Sequence, residues 1–377
     1  MKAFFCDHCE QPIYFENVRC VSCGSTLGYL PDHHVMSALE PATEDSWHAL
    51  YRRAKRSLYR QCANGRQYEF CNWLVPVNDA NPYCVSCRLN GIIPALDVEG
   101  NPQRWQKLEQ AKRRVIDAVM RMGLSVDGDP QENRPPLQFN FLGDTDGAAP
   151  LTGYALGVIT MNIAEADDDE REKRRLRLHE PYRTLVGHFR HEMAHYFWDQ
   201  LIANSPRLEG FRARFGDEAR NYAEALRLYY EQGPVPDWTA RFVTAYATSH
   251  PWEDWAECWA HYLHIVDTME TAAAFHIGVR RVKAPPPDAT FDELLQTWPT
   301  LTCALNEINR GMGLPDLYPF ALPGPVIEKL QYIHQLIRET GANAKATQAR
   351  SWRKESIKSI QEAHPAAPAL SMHRHDE

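Results

Sequence analysis

The chain has 377 residues, of which 44% are hydrophobic, and its formal net charge is −8. This length exceeds one ordinary domain and favours two or three, with enough apolar residues for a buried core. The negative charge argues against a chain-wide affinity for nucleic acid or anionic membranes, so neither is an expected partner. No apolar run approaches the roughly 18 residues of a membrane span, and the N-terminus lacks the hydrophobic stretch of a signal peptide. We therefore expect a soluble, cytoplasmic protein.

The first 30 residues contain two Cys-x-x-Cys pairs, one formed by Cys6 and Cys9 and the other by Cys20 and Cys23. In a chain without an export signal, pairs at this spacing indicate metal ligands in a reducing compartment rather than disulfides. Four thiolates make a tetrahedral zinc site that is closed to water, and zinc supplies much of the folding energy of so small a unit. The sequence predicts a structural zinc ribbon at residues 1–30.

Four more cysteines lie within residues 48–97, after a segment at residues 31–47 that we interpret as a linker. They predict a second structural zinc site, on weaker grounds because only two of them form a Cys-x-x-Cys pair. The alternative is one metal-binding pair and two buried thiols. The candidate ligands are Cys62, Cys71, Cys84 and Cys87. Residues 1–97 are thus predicted to form a cysteine-rich module with one or two structural zinc ions.

From Asn101 onward the apolar residues recur at helical spacing through Met122. Strands are predicted at residues 137–141 and 154–163, and helices at residues 182–202, 218–230, 251–266 and 325–339. These elements indicate an α+β domain over residues 100–342. The composition of residues 343–377 predicts a disordered tail.

A His-Glu-x-x-His pattern, made by His191, Glu192 and His195, lies inside the helix predicted at residues 182–202. Residues four apart share a helix face, so both imidazoles can reach one metal ion. A catalytic zinc takes three protein ligands and keeps one position for water. Glu192 is placed to accept a proton from that water. The five-residue pattern is only moderately specific, so its context has to support it.

A second motif supplies candidates for the third ligand. Glu253 and Glu257 follow Pro251 in a predicted helix and share one of its faces. Glu253 suits a zinc ligand, whereas Glu257, one turn later, suits the orientation of a ligand imidazole from behind. Asp199, one turn after His195, is a candidate for the same orienting role. The rival ligands in this region are His250, Asp254, His261 and His264.

The two motifs resemble the gluzincin arrangement, in which two histidines are followed downstream by a glutamate. The stretch from Tyr246 to Glu257 is also similar to the Tyr…Glu-x-x-Ala-Glu segment in the protease domain of anthrax lethal factor. This resemblance implies Glu253 as the third zinc ligand and Tyr246 as a hydroxyl that stabilises the oxyanion. From its N-terminal cysteines to about residue 340, the chain is similar to a bacterial family of zinc-binding metallopeptidases that carry a zinc ribbon.

The expected protein is therefore a zinc metallopeptidase with a zincin-like domain at residues 100–342 and one catalytic zinc ion. Its expected partner is a protein or peptide substrate. One alternative is a non-catalytic zinc-ribbon adaptor that binds protein or nucleic acid. Another is a zinc amide hydrolase that acts on a non-peptide substrate. The complete set of motif residues argues against a decayed site, and the charge of −8 argues against general nucleic-acid binding.

Overall fold

The computed structural model describes residues 3–55, 57–130, 134–143, 150, 152–177, 180, 182–277 and 289–342. Helices and strands are mixed throughout these ranges, which confirms the α+β prediction. The predicted tail at residues 343–377 lies outside the described residues.

The N-terminal part of the chain forms two antiparallel sheets. A small hairpin carries the first cysteine pair, and a five-stranded sheet follows in chain order. The strands are β1 (Phe4–Phe5), β2 (Pro12–Ile13), β3 (Thr26–Leu30), β4 (Val35–Thr43), β5 (Ser46–Ala49), β6 (Leu58–Gln61) and β7 (Leu74–Pro76). The short helix α1 (Ala63–Tyr68) lies between the last two.

The interpretation of residues 31–47 as a linker is wrong, because this segment contains all of β4 and the first residues of β5. Met36 and Ala38 are buried in β4, so the strand is an integral part of the sheet that joins the two cysteine clusters. The strand was overlooked because it contains Pro41 and few β-branched residues, which lowers its apparent strand propensity.

The second part of the chain packs helices on a four-stranded sheet with the order β10-β11-β9-β8. Its strands are β8 (Asn90–Ile92), β9 (Gln138–Leu142), β10 (Gly153–Ala155) and β11 (Val158–Asn162). The strand predicted at residues 154–163 is thus a hairpin, with Leu156 and Gly157 at positive φ in its turn. The pairs β8–β9 and β9–β11 are parallel, whereas β10–β11 is antiparallel.

Most of the described helices lie in this second part. They are α2 (Asn101–Arg121), α3 (Asp168–Arg177), α4 (Leu185–Leu201), α5 (Leu208–Phe215), α6 (Tyr222–Gln232), α7 (Pro251–Ala274), α8 (Phe291–Gly311) and α9 (residues 324–342). The sequence prediction missed α8, although a capping box between Thr290 and Glu293 marks its start.

The cysteine-rich part and the helical part share one core. Strand β8 comes from the segment before residue 97, yet it pairs with β9 from the segment after residue 100. One continuous hydrophobic cluster contains buried side chains from both, including Trp73, Val115 and Phe139. The Tyr29 hydroxyl also donates a hydrogen bond to Asp117 on α2. The two parts therefore pack against each other through a shared core and are not independent domains joined by a linker.

Helix α4 is held between the four-stranded sheet and α7. On the sheet side, the Phe189 ring lies 5.7 Å from the Phe139 ring of β9. On the other side, the Trp255 indole N–H donates to the Ala194 carbonyl at 2.8 Å. This packing fixes the face of α4 that carries the His-Glu-x-x-His motif against the first turns of α7. Within the described ranges, no helix combines the length and the apolar character that crossing a membrane requires.

Candidate metal centre

Helix α4 presents both motif histidines on one face. Its N-terminus is capped by the Thr184 hydroxyl, which accepts a hydrogen bond from the Gly187 N–H at 3.1 Å. One and a half turns later, the rings of His191 and His195 lie 5.2 Å apart and nearly perpendicular. The spacing of four residues thus brings both rings to the same face of the helix.

Helix α7 supplies a carboxylate opposite these rings. The His250 ring caps the helix by accepting a hydrogen bond from the Trp252 N–H, and this places Glu253 in the first turn. Glu253 is only 1% exposed. One of its oxygens lies 3.0 Å from His191 Nε2, and the other lies 3.7 Å from His195 Nε2.

The three side chains fit a zinc ion. Their ligand atoms lie within 4.8 Å of one another. Nitrogen and oxygen ligands at about 2.1 Å from a tetrahedral zinc ion are about 3.4 Å apart, which is close to the two distances measured here. Burial disfavours the charged form of Glu253, but the neighbouring His195 and His191 outweigh it and lower its pKa to about 2. The carboxylate is therefore in the deprotonated form that binds metal.

Glu257 lies behind the His191 ring, on the side away from the other ligand atoms. Its Oε1 lies 2.7 Å from His191 Nδ1, so that nitrogen donates to the carboxylate and Nε2 is left for a metal. Asp199, the other predicted orienting residue, accepts a hydrogen bond from the Tyr154 hydroxyl. The Tyr154 ring stacks on His195 at 6.2 Å, so Asp199 supports the aromatic neighbour of that imidazole.

Two tyrosines border the carboxylate side of the site. The Tyr246 ring lies 6.0 Å from the His191 ring, and burial together with the charge of Glu253 raises its pKa well above the ordinary value. The Tyr222 hydroxyl donates to Glu253 Oε1 at 2.7 Å. Sequence reasoning missed Tyr222, because it lies on α6, 31 residues before its partner, and no motif links the two.

Glu192 is buried beside the two histidines. Burial raises its pKa, but a contact with His188 and the charges of His191 and His195 outweigh that effect and leave it lowered. Its carboxylate is therefore ionised at neutral pH and can accept a proton. The His188 Nε2 lies 3.4 Å from Glu192 Oε1, a contact that the sequence did not predict.

The rival ligands have other partners. His250 caps α7. His261 forms a hydrogen bond with Tyr318, and His264 forms one with Arg190. Asp254 forms a salt bridge with Lys329. None of the four belongs to the group of converging ligand atoms found among the described residues.

Both cysteine clusters have the geometry of a four-thiolate site. In the first, Cys6 and Cys23 have sulfurs 3.7 Å apart, and the Cys9 and Cys20 sulfurs are 3.6 Å apart. In the second, the Cys71 sulfur lies 3.8 Å from the Cys84 sulfur and 3.6 Å from the Cys87 sulfur. The Cys62 sulfur completes this group of four. A zinc ion with four sulfurs at about 2.3 Å separates them by about 3.8 Å, so both clusters fit.

The second cluster forms although two of its cysteines are widely spaced in sequence. Helix α1 reverses the chain between Cys62 and Cys71 and brings their sulfurs into one group. The reversal depends on Gly65, because a Cβ atom there would lie 2.2 Å from the Cys71 carbonyl oxygen. Backbone N–H groups also donate to the sulfurs of Cys62 and Cys84, as expected for thiolates.

Comparison with known proteins finds two families that match successive parts of the chain. The family described as "Putative zinc-binding metallo-peptidase" matches residues 101–336, and a zinc-ribbon domain family matches residues 3–98. Two uncharacterized proteins of Mycobacterium tuberculosis and one of Mycobacterium bovis are each 36% identical over 354 residues, which is 93% of this chain and 99% of each relative. No solved structure matches. The chain belongs to the zinc-binding metallopeptidase family and carries that family's domain behind an N-terminal zinc ribbon.

Proposed function

We propose that this protein hydrolyses peptide bonds in protein or peptide substrates, with a zinc ion held by His191, His195 and Glu253. The observation that carries the proposal is the convergence of these three ligand atoms within 4.8 Å, next to the ionised carboxylate of Glu192. When bound, zinc acidifies a coordinated water and polarises the substrate carbonyl.

Glu192 acts as the general base in this proposal. It accepts a proton from the attacking water and then passes that proton to the leaving amine. Its buried position beside the ligands and its lowered pKa support this role. General bases of this kind contribute roughly a hundred- to ten-thousand-fold to the rate.

Tyr246 donates a hydrogen bond to the oxyanion that forms on the substrate carbonyl. Its raised pKa keeps the hydroxyl protonated at neutral pH, as a hydrogen-bond donor must be. Tyr222 and Glu257 have positioning roles, since Tyr222 holds the Glu253 carboxylate and Glu257 holds the His191 ring.

The two cysteine clusters hold structural zinc ions in the same proposal, which brings the expected content to about three zinc ions per chain. Their four sulfurs fill the tetrahedral positions, so neither site leaves room for a water. Catalysis is thereby confined to the site on α4 and α7.

The test compares the full-length, zinc-loaded wild type with a Glu192→Gln variant on a peptide library made from a bacterial proteome. New N-termini are identified by mass spectrometry, and zinc is measured in both proteins. We expect cleavage by the wild type and a decrease of at least about a hundred-fold in the variant, at unchanged zinc content. Glu209→Gln, an exposed change on α5, is the control and should cleave normally. Equal cleavage by wild type and Glu192→Gln would refute the mechanism.

A further inference from the structure

His188 occupies a half-buried position that the proposed mechanism does not use. It lies on α4 one turn before His191, outside the group of metal ligands. Residues four apart share a helix face, so His188 stands directly beside Glu192. Its Nε2 is 3.4 Å from Glu192 Oε1.

Glu165 lies on the opposite side of the His188 ring. It follows strand β11 in a single 3-10 turn and is 1% exposed. One of its oxygens accepts hydrogen bonds from Arg174 at 2.7 Å and from Arg183 at 3.0 Å. The carboxylate is therefore held in place by two guanidinium groups from outside α4.

The other oxygen of Glu165 faces the free nitrogen of His188. Glu165 Oε2 and His188 Nδ1 are 3.7 Å apart, and neither atom has a hydrogen-bond partner among the described residues. Buried polar atoms nearly always have a partner, and a small movement would pair these two atoms with each other. The ring is thus aligned between two carboxylates, with one nitrogen directed at each.

We propose that His188 is a positioning residue for Glu192, and that Glu165 orients His188 in turn. This inference rests on the proposed function, because it assigns how the general base is held. As an imidazolium, His188 directs its Nδ1–H at Glu165 and its Nε2–H at one oxygen of Glu192, and it thereby turns the other oxygen of Glu192 toward the attacking water. Without this hydrogen bond, the Glu192 carboxylate can rotate away from the water, and a smaller fraction of bound substrate reacts.

A purely structural role for His188 makes a different prediction. If the ring only fills space or balances charge, its removal lowers the stability of the fold but leaves turnover by the folded enzyme unchanged. A positioning role instead lowers kcat at an unchanged KM, because substrate binding does not depend on the orientation of Glu192. Residues that orient catalytic groups typically contribute about ten- to a hundred-fold.

The experiment uses the full-length, zinc-loaded protein and the library peptide that the wild type cleaves fastest. His188→Ala removes the imidazole that contacts Glu192, and Glu165→Gln removes the carboxylate on the other side of that imidazole. Glu170→Gln is the matched control, because Glu170 also pairs with Arg174 but has no described contact with His188. We expect kcat to decrease about ten- to a hundred-fold in His188→Ala and by less in Glu165→Gln, with KM and zinc content unchanged. The control should match the wild type.

The outcomes separate this inference from the proposed function. Wild-type kcat in His188→Ala, together with an inactive Glu192→Gln, would overturn the positioning role and leave the mechanism intact. An active Glu192→Gln would instead refute the mechanism itself. If His188→Ala does not fold, His188→Gln serves in its place. Its amide can still donate to Glu192 without an imidazole, so we expect a smaller loss of kcat.

A second measurement needs no substrate. Acetohydroxamic acid chelates zinc and forms a hydrogen bond with a neighbouring general base, so its affinity reports whether Glu192 is in position. Calorimetry should show binding about ten-fold weaker in both Glu192→Gln and His188→Ala than in the wild type or Glu170→Gln. Weaker binding in Glu192→Gln with wild-type binding in His188→Ala would overturn the inference.

Discussion

Arg113→Met tests whether the second cysteine cluster and the peptidase helices are one folding unit. Arg113 lies on α2 and is 2% exposed. It donates to the Phe70 carbonyl at 3.1 Å and lies 3.8 Å from a carboxylate oxygen of Glu109. Burial lowers the pKa of its guanidinium, but the negative charges of Cys71 and Glu109 outweigh this effect and raise it.

The size of the effect follows from the charges buried around Arg113. A zinc ion with four thiolates has a net charge of about −2, and the buried Glu109 lies 4.0 Å from the Cys87 sulfur. Lys112 and Arg113 are the positive groups that face this negative charge from α2. Removing one partner from a buried charge cluster costs about 3–5 kcal/mol. This is a large part of the 5–15 kcal/mol that typically stabilises a folded domain.

Two assays on the full-length protein measure this effect. Urea unfolding should show a midpoint lowered by roughly 1 M or more. Release of zinc to a chromophoric chelator should become at least about ten-fold faster for one of the cysteine-bound ions. Arg114→Met is the control, because this neighbouring arginine pairs with Glu16 in a partly exposed position and should cost no more than about 1 kcal/mol. Wild-type stability and zinc release in Arg113→Met would show that α2 does not balance the charge of the cluster.

Three further predictions concern the candidate site and its surroundings. Glu253→Gln should lose about one zinc ion per chain while the cysteine-bound ions remain, because a neutral amide is a poor zinc ligand; elemental analysis measures this loss, and full occupancy would exclude the residue as a ligand. Tyr246→Phe should keep its zinc and lower kcat about a hundred-fold or more, and steady-state kinetics with unchanged kcat would remove it from the oxyanion site. Burial raises the pKa of Glu165, but His188 and Arg183 outweigh this and lower it below its ordinary value of 4.5. Its stabilising contribution is therefore complete above about pH 4.5 and is lost on further acidification, so the free energy of unfolding of Glu165→Gln should fall less steeply from pH 5 to pH 3 than that of the wild type.

The sequence by itself was sufficient for the features that depend on local spacing. His191 and His195 face one metal position because a helix returns to the same face after four residues, and the same rule puts Glu253 and Glu257 in line. The first zinc ribbon is equally local, since its two Cys-x-x-Cys pairs lie only ten residues apart. These patterns identify chemistry wherever a helix or a tight knuckle decides which side chains converge.

The tertiary structure decided the contacts that join distant parts of the chain. His188 meets Glu165 across the boundary of α4 and β11, and Tyr222 reaches Glu253 from a separate helix. Strand β8 lies before the boundary predicted between the two domains but pairs with β9 beyond it, and no local sequence pattern predicts this pairing. Such contacts depend on how elements stack and on which strands become neighbours. A sequence specifies local faces through helix and strand periodicity, whereas partners far apart in the chain are selected by the packing of the whole core.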